Sequence, residues 1–487
     1  MKDSEEVKSL KSGLIWKWIQ TSFSQLVSFA LTIILARILM PEQYGIIAIV
    51  AVFVTFADTL SRTGFASSLI QKKETDKLDF DSMFWLSMAV AGVVYVILYL
   101  LAPAVGTFFN QALLCPILRV YALVLFLNAL QSILNAHISK RLDFKKQFYA
   151  TSVGSIIGGA VGVIMAYNGY GVWALVAQVL ITPLINVIIL SIQLSWYPTL
   201  SFSWQRSKNL LAFGTAVIGS NLLRNTCNEI RQFLIAKYYL PAELAIYNRG
   251  RSFAGFFYSN LVTTLSSVLF PAVANLNGDL KAAKQLTQKS IQVNCLLISL
   301  LMGLLASIAE PLILLLLTEK WIACVPYLQV ACAIETISVI STINIQTITG
   351  LGRGDWLMKL ELKKMPVFLV LLVGGLYINL FAVIISALLY SIYASWMNIR
   401  PTKELIGYSA REQYKDLLPP ICCALFAFGI SLLPSLVIKS TWGLLFINGI
   451  LFSAIYIIAS ISLRLPGVSF IVNKFPKLKR LPGLKSF

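Results

Sequence analysis

The chain has 487 residues, 57% of them hydrophobic and only 13% charged, about half the charged share of an ordinary soluble protein. A membrane-spanning helix takes about 20 apolar residues, so this apolar content fills on the order of fourteen spans and leaves little for a soluble domain. The balance excludes a soluble enzyme, a secreted disulfide scaffold and a disordered chain. Uncharged runs without alternation, such as residues 296–309, exclude an outer-membrane barrel. The predicted class is all-α: a polytopic membrane protein of about fourteen transmembrane helices.

Residues 1–11 mix charges of both signs and lead into an apolar stretch with no small-residue cleavage site, so the first helix is expected to be retained. In chain order the predicted spans are 13–36, 44–62, 83–107, 114–137, 148–167, 171–194, 209–236, 246–270, 289–309, 323–350, 360–377, 380–399, 417–437 and 441–463. The least defined points are the 377–380 division and the short apolar run 311–317. Of the 40 Lys and Arg residues, thirty fall on alternate connections and the termini, including Arg353, Lys359, Lys363 and Lys364 before span 11. The opposite face has four (Arg37, Lys237, Lys320, Lys439) and the spans themselves six. Lys/Arg excess marks the cytoplasmic side, which places both termini in the cytoplasm. Topology thus accounts for most of the net charge of +19, and no nucleic-acid partner is expected. The basic stretch 474–485 reads either as an ordinary positive-inside anchor or as a contact for anionic membrane lipids.

The two halves echo one another. Residues 35–41 (LARILMP) align with 235–241 (IAKYYLP) at an offset of 200, Pro103 with Pro311 at 208, Pro116–Val120 with Pro326–Val330 at 210, and Arg141-Leu142-Asp143-Phe144 with Arg353-Gly354-Asp355-Trp356 at 212. The expected organisation is a six-helix lobe over 1–200, a second over 201–405, two further helices over 406–463 and a basic cytoplasmic tail over 464–487. Six spans per unit makes the repeats parallel, an arrangement found in transporters that bind substrate between the halves.

Ionisable residues inside spans are costly and normally face the bundle interior. Span 7 carries Ser220, Asn221, Arg224, Asn225, Asn228, Glu229, Arg231 and Gln232 at helical spacing, which makes one face polar. Span 8 opens with Asn248-Arg249-Gly250-Arg251, span 10 carries Glu335, Ser338, Thr342 and Gln346, span 1 carries Lys17 and Gln20, and spans 2 and 4 add Asp58 and Arg119. The in-span balance is six cations against three anions, so the predicted cavity attracts an anion, and Arg suits phosphate oxygens bidentately. The candidate cavity residues are Arg224, Arg231, Arg249, Arg251, Arg119, Asn228 and Gln346; Asp58, Glu229 and Glu335 are candidates for ion coupling or charge balance. Alternatives stay open for several: an Asp58–Arg62 ion pair, a Glu229 that only neutralises a nearby Arg, interfacial snorkelling of Arg249 and Arg251, and an interfacial Arg119. His137, the sole histidine, reads as a proton relay or, more simply, as interfacial.

Seven cysteines show no CxxC pair or Cys/His cluster, so no metal is expected. Neither a phosphate-binding GxxxxGK[ST], an HExxH nor a GxSxG is present, so no catalytic residue, enzyme activity or cofactor is expected.

Residues 35–45 (LARILMPEQYG), 64–71 (GFASSLIQ), 141–144 (RLDF), 171–175 (GVWAL), 267–276 and 407–413 (GYSAREQ) resemble the polysaccharide flippases of the multidrug/oligosaccharidyl-lipid/polysaccharide exporter superfamily, in its O-antigen and exopolysaccharide (Wzx-type) branch. The resemblance implies two six-helix lobes in a V, moving an isoprenoid-pyrophosphate-linked oligosaccharide from the inner to the outer leaflet of the bacterial cytoplasmic membrane. It implies as partners the lipid-linked oligosaccharide with its anionic pyrophosphate head, membrane lipids, a glycan polymerase and glycosyltransferases. The family often has an acidic residue near the end of span 7, where this chain reads Glu229-Ile230-Arg231-Gln232. A peptidoglycan-precursor flippase is the nearest alternative. A cationic-drug antiporter of the same fold is the next, although it would call for surplus acid in the cavity.

Overall fold

The computed structural model describes residues 2–72, 75–141, 143–194, 196–276 and 278–474, with the backbone alone for several stretches, 60–64 and 209–225 among them. The first part of the chain forms α1 (Lys2–Ile38), α2 (Pro41–Gln71), α3 (Lys77–Phe108), α4 (Leu114–Tyr121), α5 (Val124–Arg141), α6 (Phe144–Tyr167), α7 (Val172–Leu194) and α8 (Trp204–Tyr238). The remainder forms α9 (Pro241–Ala274), α10 (Leu280–Ser307), α11 (Ala309–Leu317), a 3-10 turn (Glu319–Cys324), α12 (Val325–Gly350), α13 (Asp355–Ile378), α14 (Leu380–Ile406), α15 (Ala410–Ser431), α16 (Thr441–Ser462) and α17 (Pro466–Lys474). No strand occurs among the described residues.

Eleven segments among the described residues are long and apolar enough to cross a membrane. The helices α8, α9 and α13 match them in length, at 35, 34 and 24 residues. Span 4 is broken at Ala122–Leu123 into α4 and α5. The run 311–317 falls in α11, nine residues and too short to span. The division near 377–380 is sharp: the Asn379 side chain accepts from the Ala382 N–H at 2.7 Å and caps α14 one residue after α13 ends.

Two helix starts repeat the same chemistry. Pro41 and Pro241 each open a helix, where a missing N–H costs nothing. Two residues on, the Gln43 Oε1 accepts from the Met40 N–H at 3.0 Å and the Glu243 Oε2 accepts from the Leu240 N–H at 2.9 Å. The turns after α3 and α11 also correspond: Asn110 (φ 54°) and Thr318 (φ 78°) are left-handed non-glycine residues at the offset of 208 that relates Pro103 to Pro311.

By contacts the chain divides into two compact units, 1–245 and 246–487; α8, which packs along α2, falls in the first. This division follows packing and does not coincide with the lobe boundary expected at residue 200. In the first unit a glycine face of α6 brings three helices together. A Cβ on Gly158 would stand 2.2 Å from Thr182 Oγ1 of α7, and one on Gly159 would stand 2.3 Å from Leu31 Cδ1 of α1. Small residues at such crossings let backbones approach where no hydrophobic drive exists between helices. Beside them Phe65, Phe80, Met83, Phe84, Leu190 and Trp196 form an apolar cluster. In the second unit Cys423, Ala427, Phe452, Tyr456 and Leu465 form another, tied by the Tyr456 hydroxyl donating to the Leu296 carbonyl at 2.8 Å. The expected basic tail therefore begins with a helix, α17, whose Gly467 lies so close to α10 that a Cβ would meet the Gln292 carbonyl oxygen at 2.6 Å; residues 475–487 lie outside the described residues. Leu100, Tyr167, Val370 and Ile450 stand more than two-thirds exposed, as side chains facing lipid do.

Candidate substrate cavity

In the second unit the start of α9 holds two of the predicted arginines. Gly250 lies between them, and a Cβ there would stand 2.6 Å from Tyr327 Cβ and 2.8 Å from the Cys324 carbonyl oxygen. Only glycine permits this approach of α9 to the start of α12. The contact seats the buried Arg249 guanidinium 5.0 Å from the Trp321 ring and that of Arg251 5.8 Å from the Tyr247 ring. Trp321 and Tyr247 are themselves fully buried, and Tyr327 meets Tyr247 edge-on at 5.9 Å. Rings contact the face of a guanidinium, while its hydrogen-bonding fork projects from the edge. Glu335 of α12, half-buried, lies close enough to Arg251 for their charges to interact. Two turns on, the Tyr258 hydroxyl and Thr342 Oγ1 share a 2.9 Å hydrogen bond. Gln346 sits farther along α12 and donates to Ser266 Oγ at 2.9 Å.

In the first unit the polar groups are mainly amides. Lys17 Nζ donates to Gln20 Oε1 and Gln147 Oε1, both at 3.1 Å, and Gln147 Nε2 donates to Asn135 Oδ1 at 3.1 Å. Asp58 is buried and accepts from Asn128 Nδ2 at 3.0 Å. Asn128 also lines a cavity of about 430 Å³ with Ser28, Gln131, Gln178, Thr182 and Asn186. On α8, Arg231 is buried and reaches Asn228 Oδ1 at 3.5 Å; Asn228 is exposed and Glu229 half-buried. The Arg224 side chain and the Arg62 side chain, and with it the Asp58–Arg62 pair, lie outside the described residues.

Arg119 goes elsewhere. Pro103 lies inside α3 and has no N–H for the carbonyl of Tyr99 four residues back. Arg119 Nε donates to that carbonyl at 3.3 Å, and the guanidinium lies 4.1 Å from the Tyr99 ring. His137 packs edge-on against Phe80 at 4.8 Å, beside the apolar cluster of the first unit.

Two polar features escaped the sequence reading. Lys364, assigned there to a basic connection, is buried inside α13, with Glu361 at 2.5 Å and Asn398 at 3.4 Å. From Asn398 a ladder of small hydroxyls runs between α12 and α14: Asn398–Ser341 at 3.2 Å, Ser341–Ser395 at 3.1 Å and Ser338–Ser391 at 3.2 Å. Serines one turn apart in an apolar helix carry little signal by themselves, and of these four only Ser338 is among the polar residues read from the sequence. Only pairing across helices singles them out. At the membrane edge of the first unit, Arg206 pairs with Asp76 and lies 3.6 Å from Asp79, which also meets Lys72 at 2.6 Å. The guanidinium beside Asp76 holds its carboxyl below the usual carboxylate range.

The likenesses to known proteins agree with this architecture. A succinoglycan biosynthesis transport protein, ExoT, from Rhizobium meliloti is 24% identical over 73% of this chain and 72% of its own. The lipopolysaccharide biosynthesis protein WzxC of Escherichia coli is 23% identical over 88% of each chain. Among solved structures, the lipid II flippase MurJ in an inward closed conformation superposes with a TM-score of 0.75 at 12% identity, covering 93% of this chain and 99% of that one. An inward-facing multidrug resistance MATE family transporter of the MOP superfamily superposes with 0.61 at 14% identity, covering 79% of this chain and 94% of that one. These two show a shared fold: a polytopic bundle of membrane helices. Residues 34–326 match the family model described as polysaccharide biosynthesis protein, more than half the chain, and the protein belongs to that family.

Proposed function

We propose that this protein is a flippase that carries an isoprenoid-pyrophosphate-linked oligosaccharide from the cytoplasmic to the outer leaflet of the bacterial cytoplasmic membrane during polysaccharide biosynthesis. The observation that carries this reading is the set of cations held in membrane-length helices beside rings and amides, Arg231 and Arg249 buried and Lys17 and Arg251 half-buried. Such cations attract an anionic head strongly in a low-dielectric cleft, and Arg grips phosphate oxygens in pairs. Asn128, Gln131, Gln178 and Asn186 around the first unit's cavity have the donors and acceptors that sugars need, and the lipid tail stays in the bilayer. The names of ExoT and WzxC, transport in succinoglycan biosynthesis and lipopolysaccharide biosynthesis, support the same cargo class. In this reading the repeats 1–200 and 201–405 are the two moving lobes, 406–463 adds two helices, fourteen spans place both termini in the cytoplasm, and a glycan polymerase and glycosyltransferases act beside it. The protein moves its substrate without chemistry on it. Asp58, Glu229 and Glu335 balance charge or couple an ion.

The test is proteoliposomes loaded with a labelled undecaprenyl-pyrophosphate oligosaccharide, reading the fraction accessible to a membrane-impermeant enzyme outside. The accessible fraction should rise faster than in protein-free vesicles; equal rates overturn the proposal. A parallel arm with lipid II separates a peptidoglycan-precursor flippase, and tight, proton-competed ethidium binding without cargo movement would favour a drug antiporter.

A further inference from the structure

A second basic site lies in the last third of the chain, apart from the residues assigned to cargo. The N-terminal end of α13 and the C-terminal end of α14 enclose a pocket of about 430 Å³ lined by Arg353, Trp356, Lys359, Lys363, Arg400 and Glu404, among others. Four cations face one carboxylate. Lys359 and Lys363 are one turn apart on α13, as Arg400 and Glu404 are on α14, so both helices turn charge into the same space. Two tryptophans flank it at this end of the bundle: the Arg353 guanidinium lies 5.1 Å from the Trp356 ring and that of Arg400 3.7 Å from the Trp396 ring. Tryptophans under cations are the furniture of a membrane–water interface. From the pocket toward the opposite ends of these helices, the exposed surface turns apolar. Val370 and Val373 on α13, and Leu389, Ile392 and Trp396 on α14, are 39–73% exposed.

We propose that this pocket holds the phosphate headgroup of an anionic glycerophospholipid, with acyl chains lying along the exposed faces of α13 and α14. Charge complementarity selects the head, since each Lys or Arg near the surface favours an anionic lipid. Continuity with the apolar faces selects a lipid over a soluble phosphate: a free anion gains only the cations, whereas a lipid also gains the two helix surfaces. By the positive-inside pattern of the chain, the site faces the cytoplasmic leaflet. Its occupancy ties the α13–α14 pair to that leaflet.

Native mass spectrometry of the purified full-length protein in detergent, titrated with phosphatidylglycerol, phosphatidylcholine or inorganic pyrophosphate, tests this. Wild type should retain phosphatidylglycerol about tenfold or more over phosphatidylcholine, and millimolar pyrophosphate should not displace it. The triple variant Lys359→Gln/Lys363→Gln/Arg400→Gln should lose the preference while still superposing with wild type in its melting curve. Should the triple variant fail to fold, Lys363→Gln and Arg400→Gln singly should each weaken retention. Independently, phosphatidylglycerol brominated on its acyl chains should quench tryptophan fluorescence less in Trp396→Phe than in wild type. Retention of phosphatidylglycerol unchanged in the charge variants overturns the proposal, as does complete displacement by pyrophosphate, which would make the pocket a soluble-anion site.

Discussion

The same brace is built twice, with different side chains. In the first unit Arg119 of α4 donates to the Tyr99 carbonyl of α3 at 3.3 Å. In the second, Gln329 of α12 donates to the Ala306 carbonyl of α10 at 3.4 Å. Arg119 and Gln329 are the aligned fourth positions of Pro116–Val120 and Pro326–Val330, and the carbonyls they reach lie at nearly the same offset. What the repeat preserves at this place is one N–H aimed at a carbonyl near the end of a long helix, and the charge is dispensable. The arginines of α9 differ. A glycine contact, two buried rings and a nearby acid are arranged around Arg249 and Arg251, and a neutral amide would keep none of the cation–π contact. Arg119 also lies over a ring, 4.1 Å from Tyr99, so what marks it as a brace is the carbonyl it donates to and the glutamine that takes its place in the second unit. The glycine contact and the nearby acid mark Arg249 and Arg251 as candidate ligand groups.

The sharpest way to break this distinction is to neutralise both kinds of arginine. Arg249→Gln and Arg251→Gln should each lower the initial rate of cargo flipping about tenfold or more, the worth of a charge-assisted hydrogen bond, with the protein still inserted and abundant; Arg→Lys should restore only part. Wild-type rates from both glutamine variants would erase the difference between the arginines of α9 and the brace at Arg119. The paired turns give the next largest effect. Thr318 at φ 78°, ψ 175° occupies a region that is nearly glycine-only and costs about 1–3 kcal/mol, while asparagine at φ 54° tolerates its conformation. Thr318→Gly should raise stability by about 1 kcal/mol after the glycine's own entropic cost, and Asn110→Gly should not; thermal unfolding in detergent reads both. Smaller still, Arg119→Gln copies the second unit's brace and should shift stability by less than about 0.5 kcal/mol while leaving flipping intact. A large loss of transport would make Arg119 a cargo residue after all.

The smallest effect belongs to the exposed Arg206–Asp76 pair, screened by solvent. Its folded carboxyl titrates below the unfolded value, so its contribution is present above the ordinary Asp range near pH 4 and is lost as pH falls through the depressed value. Arg206→Gln should therefore lower the melting temperature slightly at pH 7 and by less at pH 3. An equal effect at both pH values would show that the pair acts through packing instead.

Much of this molecule is legible in its residues. The division at Asn379 and the helix starts at Pro41 and Pro241 rest on local chemistry, a capping amide and prolines with no donor to lose, although hydropathy alone began those spans at 44 and 246 and left the 377–380 division among the least defined points. Other features are not. The break at Ala122–Leu123 interrupts an apolar run with no glycine or proline of its own, and Lys364 sits in a basic connection by pattern but inside α13 in space. Arg119, Arg249 and Arg251 look alike as charges in apolar surroundings.

Sequence alone determined that this is a polytopic helical membrane protein, that its halves repeat, and that cations outnumber acids within its spans. Hydropathy and charge asymmetry act residue by residue against lipid and water, so composition and order suffice to read them. Which cation serves as a brace, which is enclosed by a close helix contact and an acid, and where four of them close around a pocket was decided only by tertiary structure, because a guanidinium takes its role from the groups that the folded chain brings to it.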